Sequence, residues 1–297
     1  MKRMTIGLGI CLLIMGVCII GIYVYKSIYT MAEVDEEKVI DGDYIDSLKI
    51  TTSLANVRIV SDKTDTIKVK LDGKIKKDLK NKYKLEVVEL NDQLEVNYLS
   101  NENLVGIKLA SEKDINVSVI LPEKVYRNLD VSTTSGTIKL EKISVQSMEL
   151  ATTSGFQTLI GSEIKDEAVF QSTSGDIKLD NNLMNSFIVK TTSGKLSTKA
   201  LDSKSGQIES TSGDVSLKMR NIMKELFINT TSGDVDVDFE NNPESLSVIF
   251  NGNSGKLDIS LPGILYKDKD KNSAIGVIGD GESLLNVKTT SGDLTIK

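Results

Sequence analysis

Beyond residue 125 the apolar side chains keep a fixed frame around Ser-Gly pairs. Seven and five residues before the glycine stand Leu129 and Val131, Phe187 and Val189, Leu226 and Ile228, and Leu285 and Val287. Two and four residues after it stand Ile138 and Leu140, Ile177 and Leu179, Val215 and Leu217, Val235 and Val237, and Leu294 and Ile296. Polar residues fill the places between, so both flanks alternate with period two, the pattern of strands with one buried face. Each unit therefore reads as strand, turn, strand.

The pairs are Ser135-Gly136, Ser154-Gly155, Ser174-Gly175, Ser193-Gly194, Ser212-Gly213, Ser232-Gly233, Ser254-Gly255 and Ser291-Gly292. The first six steps between glycines are 19, 20, 19, 19, 20 and 22 residues, and the last is 37, which predicts one coil that has lost the motif. A short, persistent period implies a solenoid. In-register stacking would give parallel sheets, each coil adding ~4.8 Å. The expected fold is all-β, a parallel β-solenoid of 19–20-residue coils over residues 126–297. Glycine suits a corner at positive φ, and the serine hydroxyl suits an unpaired turn group.

Three residues before each glycine stands Thr133, Thr152, Ser172, Thr191, Ser210, Thr230, Gly252 or Thr289. Parity turns this column inward, where small hydroxyls can bond to backbone and to each other. An outward hydroxyl ladder of the ice-binding kind uses Thr-x-Thr on a flat face, whereas adjacent threonines point opposite ways.

The first part of the chain is less regular. Leu48, Ile50, Thr52, Val57 and Ile59 repeat the same offsets around Ala55, which predicts a degenerate first copy. Lys84–Leu90 and Leu94–Tyr98 read as a hairpin across Asn91-Asp92-Gln93, and Ile115–Leu121 as a strand stopped by Pro122. Residues 45–125 are thus expected to form a β region that caps the solenoid. Tyr266–Ser273, with alternating Lys and Asp, reads as a solvated loop. The chain ends inside a strand, Asp293–Lys297. This predicts an exposed C-terminal solenoid edge able to take a partner or a second copy, unless Lys297 or that loop blocks it.

Met4–Val24 is an uncharged run of 21 residues, enough for a helix across a ~30 Å hydrocarbon core. Lys2 and Arg3 precede it, and Glu33, Asp35, Glu36 and Glu37 follow, so positive-inside bias puts the body outside the membrane. Thr30-Met31-Ala32 would pass as a signal cleavage site, but the run exceeds the usual h-region of roughly 7–15 residues. The expected plan is residues 1–3 cytoplasmic, 4–24 a transmembrane helix, 25–44 a juxtamembrane linker, and an extracytoplasmic body at the cell membrane.

Removing Lys2, Arg3 and Lys26 from the 36 basic residues leaves 33 against 42 acids, about −9 for the body. That balance argues against nucleic acid as a partner and against adsorption to anionic lipid. The chain has no His, and Cys11 and Cys18 both lie in the apolar run, so the body offers no thiolate, disulfide or Cys/His metal site. No cofactor is expected. Polysaccharide-cleaving β-helices need a non-repeating carboxylate cluster with a basic partner. Here Arg58, Arg127 and Arg220 are far apart in sequence. Asp176, Asp214, Asp234 and Asp293 all occupy the position after the turn glycine, where a solvated residue belongs.

The TTSGDIxL-type repeats, the segment Ile275-Gly276-Val277-Ile278-Gly279-Asp280-Gly281 and the following Leu285–Leu294 resemble the bacterial putative-adhesin repeat family, the LiaG-like and YvlB-like membrane-associated proteins. The resemblance covers roughly residues 45–297. It implies a β-helix-like repeat and, for LiaG-like members, a gene neighbourhood concerned with cell-envelope stress. It supplies no catalytic residue. The expected function is a non-catalytic envelope binding or structural module with an envelope protein or glycan as partner. The alternative is a β-helix enzyme acting on cell-wall or extracellular polysaccharide.

Overall fold

The alternation resolves into two long sheets. The computed structural model describes residues 30–77, 80–100, 112–220 and 223–297, so the expected membrane helix at 4–24 lies outside the described residues. Among the described residues no helix is long and apolar enough to cross a membrane.

Each central coil places a longer strand in one sheet, turns at the Ser-Gly pair, and places a shorter strand in the other. Val125–Thr133 pairs in parallel with Ser144–Thr152, and Ile138–Glu141 with Gln157–Ile160. The pattern continues to Glu225–Thr230 and Val235–Phe239. Register holds identical offsets over one another, so Leu129 lies beside Met148 and Val131 beside Leu150. The apolar columns meet between the sheets as one continuous core. Within one column Ala168 and Gly206 flank Phe187, and a Cβ on Gly206 would lie 2.4 Å from the Phe187 ring. Small neighbours make room for the large ring, which keeps the core close-packed.

The predicted first copy is present. Ser47–Thr52 pairs with Val125–Thr133, and Asn56–Asp62 with Ile138–Glu141. It is not the outermost coil, because Gln93–Ser100 and Glu112–Pro122 pair on its far side. Antiparallel strands close this end. Tyr83–Leu90 forms the predicted hairpin with Gln93–Ser100, with Asn91 at φ 57° in its tight turn. Thr66–Lys76 covers Glu112–Pro122, and Met31–Asp41 covers Thr66–Lys76. Residues 31–41, expected in the linker, are therefore an edge strand of the cap.

The far end repeats this manoeuvre and overturns three expectations. Leu246–Ser254 and Leu257–Ile259 form the outermost coil, and the final strands Ser283–Ser291 and Leu294–Ile296 return to lie inside it. Leu294–Ile296 is paired on both sides, by Val235–Phe239 and by Leu257–Ile259, so the C-terminus is not the solenoid edge. The 37-residue step holds no lost coil. It holds an antiparallel hairpin, Leu265–Lys269 with Ser273–Ile278, laid against Leu246–Ser254. Most of the expected loop at Tyr266–Ser273 is thus strand, with its alternating charges on an edge that they shield from further pairing.

Candidate functional site

The Ser-Gly corner works differently from the expectation. Gly136, Gly155, Gly175, Gly194, Gly213, Gly233 and Gly292 are buried and have no positive φ; of the eight, only Gly255 does, at 128°. What demands glycine is the neighbouring coil. A Cβ on Gly155 would lie 1.8 Å from the carbonyl oxygen of Gly136, and on Gly213 2.0 Å from that of Gly194. The glycines stack into a column too close for any side chain. The left-handed residues sit at the opposite corner, at Lys142, Gly161, Asn181 and Ala200, with φ of 50–58°.

Ser135, Ser154, Ser174, Ser193, Ser212, Ser232, Ser254 and Ser291 are exposed, and most join the coils through backbone rather than hydroxyl. Ser154 N donates to Thr134 O at 3.0 Å and Ser212 N to Thr192 O at 2.8 Å. Ser254 differs, its hydroxyl donating to Ser291 Oγ at 3.2 Å. The bracing hydroxyls belong to the buried column three residues before the glycine, as parity predicted. Thr191 Oγ1 accepts from Gly194 N at 2.9 Å, and Ser210 Oγ accepts from Gly213 N while donating to Gly213 O.

The residue after the glycine is exposed but engaged. Asp176 Oδ1 accepts from Lys195 N at 2.9 Å, Asp214 Oδ1 from Asp234 N at 3.2 Å, Asp234 Oδ1 from Asp293 N at 2.9 Å, and Asp293 Oδ1 from Lys256 N at 2.8 Å. Each carboxylate thus caps a backbone donor of the adjacent coil. These are repeated structural contacts in place of the free turn residues expected.

Along this corner runs an open groove of about 690 Å³. Its floor is the buried hydroxyl column from Thr52 to Ser210. One wall carries the exposed Thr134, Thr153, Thr173, Thr192, Thr211 and Thr231; the other carries Thr51, Ser132, Ala151, Gln171, Lys190, Glu209 and Asn229. Lys190 and Glu209 face each other across adjacent coils at 3.9 Å. Leu99 closes the end nearer the cap. The groove-lining backbone is consumed by coil-to-coil pairing. A ligand therefore meets mainly hydroxyls and amides, which both donate and accept, with the Lys190–Glu209 pair among them, in columns that repeat every ~4.8 Å. Sequence reasoning identified the threonines but not the groove, which exists because the strand bends at the buried column and leaves two outward columns on either side.

A non-repeating charged cluster lies away from the groove, among the starts of the strands near the capped end. Arg127 pairs with Asp92 and, at 3.4 Å, with Asp46; Lys124 donates to Gly42 O at 2.8 Å and pairs with Asp46 at 3.4 Å. The hydrogen bond from Arg127 holds the Asp92 carboxyl below its ordinary range. Asp46 N and Ser47 N both donate to Asp92 O, and Arg127 N to Asp46 O, so the cluster ties together the starts of three neighbouring strands. Among the described residues no group of three or more His, Cys, Asp or Glu is placed to hold a metal ion.

A family model described as Toastrack DUF4097 matches residues 45–297. Among solved structures, the chain is similar to a putative adhesin from Parabacteroides distasonis, at 10% identity over 89% of this chain and 97% of that one, TM-score 0.46. It is similar to a putative adhesin from Bacteroides fragilis at 9% identity over 91% and 98%, TM-score 0.46. It is also similar to a putative lipid binding protein from Parabacteroides distasonis at 13% identity over 89% and 97%, TM-score 0.45. No curated protein matches it.

Proposed function

The chain belongs to the Toastrack DUF4097 family, and from that premise we propose that it is a membrane-anchored, extracytoplasmic binding module without catalytic activity, holding a hydroxyl-rich envelope polymer along its groove. The observation that carries this reading is the unbroken column of exposed threonines, Thr134, Thr153, Thr173, Thr192, Thr211 and Thr231, across successive coils. A polypeptide adding a strand needs unpaired N–H and C=O groups, and the backbone there is already paired. A glycan chain needs side-chain donors and acceptors at regular intervals, which the groove supplies. The carboxylates after the turn glycines are committed to capping, and the Arg127 cluster to bracing, which favours binding over polysaccharide cleavage. Anchoring comes from the uncharged run at 4–24, and an envelope-stress role is consistent with the LiaG-like resemblance.

The test is binding of the full-length protein in detergent to isolated cell-wall glycan, before and after Thr153→Val, Thr173→Val and Thr192→Val combined. These swaps keep shape and remove one hydrogen-bonding group each, at roughly 0.5–1.5 kcal/mol apiece. Affinity should fall by about one to three orders of magnitude with an unchanged melting curve. Unchanged affinity for every wall fraction, or release of cleaved glycan on incubation, sinks the reading.

A further inference from the structure

In a chain with 42 acids against 36 bases, one segment runs strongly the other way. Lys74, Lys76, Lys77, Lys80, Lys82 and Lys84 fall within eleven residues of sequence that hold a single acid, Asp78. Thr66–Lys76 ends in one sheet and Tyr83–Leu90 begins in the other, so these lysines gather where the chain crosses between the sheets at the capped end. Lys74, Lys77, Lys80 and Lys84 are exposed. Glu33 lies 3.6 Å from Lys74 and Glu86 3.7 Å from Lys84, in exposed pairs that water and salt weaken. With Asp72, two residues before Lys74, and with Glu112 and Lys113, which lie opposite Ile75 and Lys74 on the neighbouring strand, seven lysines stand against Asp72, Asp78, Glu33, Glu86 and Glu112, a net charge of +2.

Position gives this charge a meaning. Met31 lies opposite Lys76, Lys77 N donates to Thr30 O at 3.1 Å, and Lys80 Nζ donates to Glu33 O at 2.9 Å. The crossover therefore sits at the point where the chain enters the fold. Only residues 25–30 separate that point from the end of the uncharged run at Val24, a tether of at most ~20 Å. Glu36 and Glu37 lie five and six residues further along the same strand, ~17–20 Å away and beyond the ~8 Å screening length of physiological salt. Those two carboxylates are thus screened from the crossover.

We infer that this lysine crossover seats the capped end on the anionic phosphate headgroups of the membrane in which the chain is anchored, so that the solenoid is held with its capped end toward the lipid. The inference rests on the anchored reading above. Exposed ammonium groups on flexible stems suit phosphates that differ in position from lipid to lipid. Choline headgroups, whose phosphate is internally balanced, would give no net attraction.

The experiment uses the full-length chain carrying Cys11→Ser, Cys18→Ser and a single label at Asn81→Cys. It is reconstituted into vesicles of phosphatidylcholine alone, or of phosphatidylcholine and phosphatidylglycerol in equal parts, each with a trace of headgroup nitroxide quencher. Flotation reports anchoring, and quenching reports docking. The expected result is flotation with both lipids, strong quenching only with phosphatidylglycerol, and its loss in high salt. Lys77→Gln, Lys80→Gln and Lys84→Gln should lower the docked-to-undocked ratio about fivefold each, the ratio equivalent to ~1 kcal/mol per charge beside an anionic surface. Equal quenching in the two lipids overturns the inference, as does quenching unmoved by the triple variant. Should the triple variant melt below its parent, the salt titration of the parent decides. Inorganic polyphosphate that perturbs the label while anionic vesicles do not would also overturn it, in favour of a phosphate polymer. Failure to float would remove the anchored reading itself.

Discussion

At Gly213 the nearest obstacle to a side chain is the carbonyl oxygen of Gly194, 2.0 Å from where a Cβ would stand. Backbone cannot swing aside as a side-chain tip can, so Gly213→Ala has to push two coils apart. It should destabilise the solenoid by on the order of 3 kcal/mol, the upper range for overpacking, read as a fall in the denaturant midpoint. Beside it, Asp214→Ala removes the acceptor for Asp234 N and should cost about 1 kcal/mol, while Asp214→Asn keeps an acceptor and should cost less. Equal losses for alanine and asparagine would mean that the acceptor oxygen kept by asparagine contributes nothing. At the other corner Lys142 is an exposed lysine at φ 57°, a conformation that costs an L-residue roughly 1–2 kcal/mol. Lys142→Gly relieves that strain and gives back part of it through the freer unfolded chain. A net gain of about 0.5–1 kcal/mol in thermal or urea unfolding is expected.

Among the strands, the last is the one whose surroundings matter most. Leu294–Ile296 fills a slot between Val235–Phe239 and Leu257–Ile259, with Leu294 N bonded to Lys256 O at 2.9 Å and Lys297 N to Val237 O at 3.0 Å. An edge strand at a chain terminus frays and exchanges its amides quickly. A strand inserted between two others does not. In native-state hydrogen exchange the amides of Leu294 and Lys297 should be protected as strongly as that of Leu196, which bonds to Asp214 O within the central coils. Rapid exchange at 294–297 would restore the C-terminus as an open edge and with it the docking once expected there. The same comparison bears on removal of residues 293–297, which takes a partner from two strands at once.

For the whole molecule, both ends follow one plan. At the far end the chain jumps to an outermost coil, adds antiparallel strands and returns to fill the place left behind. At the capped end the same path runs in reverse, the inner coil first, then antiparallel strands and the outer coil, before the chain crosses the first coil to continue the stack. The stack is closed by elements that cannot propagate it, which limits end-to-end growth. In the anchored reading the lysine crossover faces the lipid and the Leu265–Lys269 hairpin stands at the far end. Protease added to intact, wall-stripped cells should then degrade the body while the segment around 4–24 stays with the membrane. A fully protected body, or a body released intact after cleavage near Ala32, would contradict this topology.

Spacing and parity alone determined the all-β solenoid, the inward Leu and Val columns, the buried hydroxyls at Thr133 to Thr289, the degenerate copy around Ala55 and the Asn91-Asp92 turn. All of these are written in residues a few positions apart, where period two and turn chemistry act. Tertiary structure decided everything that depends on which coil lies beside which. The glycines are required by a neighbour's carbonyl about one repeat away, so the sequence pointed to the right residue for the wrong reason. The left-handed corner at Lys142 and Ala200 carries no glycine signal, because the coil geometry imposes it on whatever residue arrives there. The final coil slips inside its predecessor because every coil presents the same columns to its neighbours, and a periodic pattern carries no record of stacking order. The groove and the lysine crossover beside Thr30 arise the same way, from columns and termini that meet only once the coils are stacked.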